Sequence, residues 1–92
     1  MNKYWVEFLG TAFLAFVFLS TRHWIATGAA LAIAMLLGGP ISGGMFNPAL
    51  VVANYNLGRV SRNDVIPLVA VQMLGALFAW YSFRKFLNAP AS

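Results

Sequence analysis

Long apolar runs alternate with short polar breaks along the chain. Residues 4–20, 24–38 and 65–84 form three runs that approach or reach the roughly 17–25 residues a helix needs to cross the hydrocarbon core of a bilayer. Asparagine and aspartate are preferred N-caps, so Asn63 or Asp64 can start the helix of the third run. The pattern predicts an all-α membrane protein with three transmembrane helices.

A fourth segment, residues 39–56, is apolar but does not fit a spanning helix. We expect the preceding helix to end at Pro40, because a helix usually stops before a proline. Asn47 and Pro48 then predict a new helix start, since asparagine is a preferred N-cap and proline is preferred at the first helical position. About eight residues of helix rise about 12 Å, which is less than half of a bilayer. The segment therefore predicts a re-entrant loop followed by a half-helix.

The composition excludes several other classes of protein. Of the 92 residues, 61% are hydrophobic and 9% are charged, whereas roughly a quarter to a third of a soluble domain's surface is charged. There are no cysteines and one histidine, so we expect no disulfide scaffold and no metal site. The sequence also has no nucleophile with a base, no phosphate loop and no carboxylate pair, so we expect no cofactor and no enzymatic activity.

The basic residues divide evenly between the two sides of the membrane. With three spans, one side carries Lys3, Arg59 and Arg62, and the other carries Arg22, Arg84 and Lys85. The Lys/Arg bias that sets orientation is therefore absent, so we expect an integral, multi-pass protein of a cell or inner membrane with dual topology. No basic stripe with interleaved aromatic residues is present, so we do not expect nucleic acid as a partner.

Asn47 carries the clearest candidate chemistry. Its amide oxygen can cap the half-helix while its NH₂ group remains a free donor, and the helix N-terminus carries about +0.5 of a charge. At the membrane midplane these groups would offer a donor to a passing oxygen atom and repel cations. The glycines let the backbone extend, so carbonyls of Gly43, Gly44, Met45 and Phe46 could form a ladder of acceptors. Such a lining suits water or a polyol; the alternative is that the Asn-Pro pair only caps a surface helix.

Three segments of the chain resemble one known family. Residues 38–50 read Gly-Gly-Pro-Ile-Ser-Gly-Gly-Met-Phe-Asn-Pro-Ala-Leu, which resembles the first-repeat signature of the aquaporin and glycerol-channel family, the major intrinsic proteins. Residues 7–11 and 72–76 resemble that family's motifs in the first and third helices of the repeat. The resemblance covers residues 1–92 as a single aquaporin-like half-repeat, whereas family channels hold two repeats, inverted relative to each other.

The resemblance implies a channel subunit for passive permeation of water or small uncharged solutes such as glycerol. Leu50 stands where the second repeat of the family usually has an arginine, and Met45 stands where the family often has a histidine. These departures favour a wider, more apolar constriction. The residues expected to line the pore are Gly43, Gly44, Met45, Phe46, Asn47, Pro48, Ala49 and Leu50.

One half-repeat forms half of a pore, so we expect inverted pairs, in which a second copy in the opposite orientation completes each pore within the lipid. The family's fourfold packing of pores would then require four such pairs. The alternative is a non-conducting structural or regulatory membrane protein that pairs with other aquaporin-type chains. In one form of this pairing, the partner would be a different half-repeat that carries the arginine usually found in the family's second repeat.

Glu7 is the only acidic residue within a predicted span, and an ionisable group in a membrane is a functional candidate by default. A proton relay is one interpretation. The resemblance implies another, in which the carboxylate accepts hydrogen bonds from N–H groups of the re-entrant loop and holds the loop in place. Gln72, in the middle of the last span, would support the same packing.

Two pairs of small residues four positions apart predict close contacts between helices. These pairs are Gly28 with Ala32 and Gly75 with Ala79.

Overall fold

The computed structural model describes residues 1–87, and this range contains four α-helices. They are α1 (Lys3–Thr21), α2 (Trp24–Ser42), α3 (Pro48–Asn56) and α4 (Arg62–Phe86). Helices α1, α2 and α4 are each long and apolar enough to cross a membrane, judged by length and composition. The all-helical fold and the three candidate spans confirm that part of the sequence prediction.

Helix α1 is at the centre of the arrangement, with α2 and α4 packed against it, and α3 packs against α4. The Lys3 Nζ atom lies 2.5 Å from Asp64 Oδ2, and the Tyr4 hydroxyl donates to Asp64 Oδ1 at 2.6 Å. These contacts join the first turn of α1 to the first turn of α4, so both helices begin at the same end of the molecule. A two-residue connection, Arg22 and His23, separates α1 from α2 and reverses the chain.

Helix α2 does not end before Pro40, as the sequence predicts, but continues to Ser42. A proline restricts the preceding residue through clashes with its N–H group and its Cβ atom, and the preceding residue here is Gly39, which has no Cβ atom. The helix ends instead at Gly43, whose φ of 93° is left-handed and whose N–H donates to the Gly39 carbonyl at 2.8 Å. A glycine in this conformation is a common helix end.

The start of α4 also differs from the sequence prediction. Neither Asn63 nor Asp64 is the N-cap; Ser61 takes that position and Arg62 is the first helical residue. The Asp64 carboxylate instead accepts the hydrogen bonds from Lys3 and Tyr4 on α1. A tertiary ion pair has therefore replaced the local cap.

One of the two predicted small-residue contacts is present within the chain. A Cβ atom added to Gly75 would lie 2.6 Å from the carbonyl oxygen of Phe8 and 3.2 Å from the amide nitrogen of Ala12, so the α1 and α4 backbones approach closely there. The other pair makes no such contact: a Cβ added to Gly28 meets nothing within 4 Å, and Ala32 is exposed.

The two glycines give a matched test of this packing. We expect Gly75→Ala to destabilise the protein by about 1–3 kcal/mol, because the new methyl group must displace backbone atoms of α1. Gly28→Ala should be neutral or stabilising by up to about 1 kcal/mol, since alanine favours a helix and open space surrounds the site. Unfolding of purified protein in detergent micelles, followed by far-UV circular dichroism, measures both. Equal effects of the two substitutions would contradict the close approach.

Candidate functional site

The connection between α2 and α3 is a tight, curled loop rather than the extended stretch that its glycines predict. Three of its residues have left-handed backbone angles, with φ of 93° at Gly43, 68° at Gly44 and 53° at Phe46. Glycine adopts this region without cost, whereas a non-glycine residue there stores roughly 1–3 kcal/mol of strain that surrounding contacts must offset. The loop therefore needs strong external contacts around Phe46.

The Glu7 carboxylate provides those contacts from the second turn of α1. Glu7 is fully buried, and its Oε1 atom accepts from the Phe46 N–H and from Gln72 Nε2, both at 2.8 Å. Its Oε2 atom accepts from the Ser42 hydroxyl at 2.6 Å and from the Met45 N–H at 3.2 Å. Two donors on each oxygen occupy the usual acceptor positions of a carboxylate, so the buried charge is stabilised entirely by hydrogen bonds.

These bonds bring the two predicted supporting residues, Glu7 and Gln72, together with the loop. Ser42 adds a further bond, because its hydroxyl oxygen accepts from the Gly44 N–H at 3.2 Å. The carboxylate thereby connects α1, α2, α4 and the loop in one buried network. Since donors fill its acceptor positions, the arrangement favours an anchor over a proton relay.

The two residues that follow the glycines point to different parts of the core. The Phe46 ring lies between α1 and α2, where a Cβ on Gly10 would lie 2.1 Å from it and a Cβ on Gly38 would lie 3.1 Å from it. Met45 packs instead in a cluster with Val51 of α3. Both side chains are buried, so the loop is fixed on two sides.

Asn47 is the N-cap of α3, as the Asn-Pro pair predicts, and Pro48 is the first helical residue. The Asn47 Oδ1 atom accepts from the Ala49 N–H at 2.8 Å, and the Asn47 carbonyl accepts from the N–H groups of Leu50 and Val51 at 3.0 and 3.1 Å. Asn47 is exposed, and within residues 1–87 its NH₂ group has no hydrogen-bond partner. A free donor therefore stands at the positive end of a helix.

This donor lies in an open groove of about 830 Å³ between α1 and α2. Of the eight residues predicted to line a pore, Phe46, Asn47 and Pro48 line this groove. The other five do not line it: Gly43, Ala49 and Leu50 are exposed elsewhere, and Gly44 and Met45 are buried. The remaining walls are Thr11, Leu14, Ala15, Phe18, Arg22, His23, Trp24, Thr27, Gly28 and Leu31.

Sequence reasoning missed three residues that hold the site together. Ser42 bonds to Glu7, while Gly10 and Gly38 make room for the Phe46 ring. The sequence does hold a local signal for Gly10. It follows Glu7 by three positions, so the two residues lie on the same face of α1, the face that contacts the loop. Within the part of the chain that the structure describes, no three histidine or acidic side chains lie together.

The three apolar helices and the buried polar network define a polytopic α-helical membrane protein. The sequence pattern of the family described as "Major intrinsic protein" matches residues 20–90. The chain belongs to the major intrinsic protein family. Its membership and its apolar helices together support an integral membrane location.

Three relatives illustrate the similarity. The chain is 37% identical to glycerol uptake facilitator protein-like 6 of Lactiplantibacillus plantarum, over 97% of this chain and 45% of that protein. It is 42% identical to the aquaglyceroporin AqpS of Rhizobium meliloti, over 58% of this chain and 23% of that protein. It is 34% identical to the aquaporin AqpM of Methanothermobacter thermautotrophicus, over 75% of this chain and 30% of that protein. The chain thus spans less than half the length of these relatives, and no solved structure matches it significantly.

Replacing the buried carboxylate tests the anchor. Glu7→Gln keeps the size of the side chain but turns an NH₂ group toward N–H and O–H donors, so we expect a loss of about 3 kcal/mol in unfolding free energy. Asp64→Asn is the matched control, because it neutralises the chain's other acidic residue at a partly exposed site, and its loss should be smaller. Denaturant titration in detergent micelles measures both. A loss at Glu7 no larger than that at Asp64 would show that the loop does not depend on the carboxylate.

Proposed function

We propose that residues 1–92 form a single aquaporin-like half-repeat, which acts as a channel subunit for water or small uncharged solutes such as glycerol. The observation that carries this proposal is the free Asn47 NH₂ group on the wall of an open groove. A donor in that place can replace one hydrogen bond that a solute oxygen loses on leaving bulk water, and the positive helix terminus disfavours cations. The proposed activity is passive permeation, without enzymatic chemistry.

The position of α3 supports a re-entrant path. Asn47 follows Phe46, whose ring packs against Gly10, near the middle of the 19-residue α1. From there the nine residues of α3 rise about 14 Å and lead through residues 57–61 to the start of α4, the end at which α1 also begins. The chain therefore reaches about half the depth of a bilayer and returns to the side it left. Non-helical backbone at such depth requires protein or water around it, and the Glu7 network supplies the protein.

The groove also supports completion of the pore by a second, inverted copy. Its walls come from α1, α2, the corner between them and the start of α3, and they are open along one side, so residues 1–87 do not enclose a pore. An inverted copy would bring its own α3 into the groove from the opposite membrane surface and place the two Asn47 amides near each other. The exposed Gly28 and Ala32 on α2 would let a helix of the second copy approach closely. Four such pairs would reproduce the family's fourfold packing.

Apart from the Asn47 amide, the largely apolar walls of the groove offer a solute few polar contacts. The relatives' names include an aquaporin, an aquaglyceroporin and a glycerol uptake facilitator, so water and glycerol are the first solutes to test. The even division of basic residues supports dual topology, because neither orientation is favoured by charge.

Permeability of reconstituted vesicles tests the channel itself. We expect wild-type protein to raise water or glycerol permeability above that of empty vesicles in stopped-flow light scattering. Asn47→Asp should lower it about tenfold, which is roughly 1.4 kcal/mol of barrier, because the free donor is lost while an equally good cap remains. Asn63→Asp, the same change at an exposed residue outside the groove, should have little effect. Permeability no higher than that of empty vesicles for wild type and Asn47→Asp alike would favour the non-conducting alternative.

Fixing the orientation tests the inverted pair. One variant carries Leu57→Lys and Asn63→Lys, and the other carries Phe86→Lys and Leu87→Lys, so each adds two positive charges at exposed positions on one side only. We expect each variant alone to lose permeability, because all copies then insert the same way, and the two co-expressed variants to regain it. Full permeability of either variant alone would contradict an inverted pair.

A further inference from the structure

The groove extends to the sharp corner between α1 and α2, where Arg22, His23 and Trp24 line it. Arg22 takes the left-handed conformation there, with φ of 48°, and its N–H donates to the Phe18 carbonyl at 2.8 Å. His23 caps α2 by accepting the Ile25 N–H on Nδ1 at 3.2 Å, and its own N–H donates to the Thr21 hydroxyl at 3.3 Å. These bonds fix the backbone from which the Arg22 side chain extends.

Arg22 is the one residue with a permanently charged side chain among those that line the groove in the described part of the chain. The chain has only two acidic residues, and both are engaged elsewhere: Glu7 with the loop and Asp64 with Lys3 and Tyr4. Within residues 1–87, no side-chain carboxylate is therefore available to neutralise the Arg22 guanidinium. An unneutralised charge is costly to place beside an apolar wall unless it stays in contact with water, which suits the exposed mouth of a groove.

We propose that the Arg22 guanidinium at the mouth of this groove acts as a cation barrier and determines the charge specificity of permeation. This inference rests on the proposed channel function. A fixed positive charge beside low-dielectric walls focuses its field into the opening and lowers the local concentration of cations. Neutral solutes feel no such barrier, so charge exclusion is separated from solute binding at Asn47.

The spacing of the two residues keeps these roles apart. Asn47 follows Phe46, whose ring packs against Gly10, and Gly10 precedes Arg22 by twelve positions, or about 18 Å along the helix. In an inverted pair, each copy would place its own Arg22 at a different mouth. Cations would then meet a positive charge from either side of the membrane, in addition to the helix termini at the centre.

The test compares cation and glycerol permeability in the same vesicles. Arg22→Asn removes the charge and suits a left-handed backbone, Arg22→Lys keeps the charge, and Arg84→Asn removes a positive charge from the same side of the membrane without lining the groove. A Na⁺-sensitive dye trapped inside the vesicles reports cation entry, and stopped-flow light scattering reports glycerol entry. We expect Arg22→Asn to raise Na⁺ entry roughly tenfold or more with unchanged glycerol entry, and the other two variants to behave as wild type.

The outcomes separate this inference from the channel proposal. If wild type passes neither water nor glycerol, the channel proposal fails and the barrier fails with it. If wild type passes glycerol but Arg22→Asn excludes Na⁺ as well as wild type does, the channel stands and the barrier at Arg22 is overturned. Equal Na⁺ entry in Arg22→Asn and Arg84→Asn would also overturn it, because the effect would then follow net charge or orientation. Equal glycerol entry in all variants shows that each is folded and inserted.

Discussion

The structure depends on one fully buried carboxylate that is stabilised without a cation. Glu7 is fully buried among apolar helices, where an uncompensated charge would be strongly unfavourable. Two backbone N–H groups of the α2–α3 loop, the Ser42 hydroxyl and the Gln72 amide supply the compensation. The dependence is mutual, because the same loop amides would be unpaired in a low-dielectric interior without the carboxylate. The Glu7 carboxylate thus satisfies the free N–H groups of the α2–α3 loop, and those N–H groups in turn stabilise the buried carboxylate.

The other features of the site follow from these hydrogen bonds between Glu7 and the loop. With its N–H held by Glu7, Phe46 can keep a left-handed backbone, and its ring fills the space left by Gly10 and Gly38. The chain then enters α3 at Asn47, whose amide oxygen is used for capping and whose NH₂ group is left free. The groove wall, the donor and the helix terminus are therefore positioned together, by atoms that lie outside the groove.

Much of this arrangement is readable from the sequence, and the parts that are not have a common cause. The three spans follow from the apolar runs, and the start of α3 follows from Asn47 and Pro48, because both signals are local. The continuation of α2 through Pro40 departs from the local rule because Gly39 has no Cβ atom, which eases the usual restriction before a proline. Asp64 is one of two cap candidates in the sequence, yet it bonds to Lys3 and Tyr4, sixty or more residues away in the chain. The groove and the position of Arg22 on it likewise depend on how helices pack, which no local pattern records.

The bonds between α1 and α4 also bear on the order in which the fold can be assembled. Lys3, Tyr4 and Glu7 lie at the start of α1, whereas their partners Asp64 and Gln72 lie on α4, sixty or more residues later. The α1–α2 hairpin and the loop can form while α4 is still missing, but one donor position on Glu7 is then vacant. Arrival of α4 completes the shell of the carboxylate and closes the ion pair at the membrane edge at the same time. The helix that is made last among the four therefore supplies the final contacts of the buried carboxylate on the first.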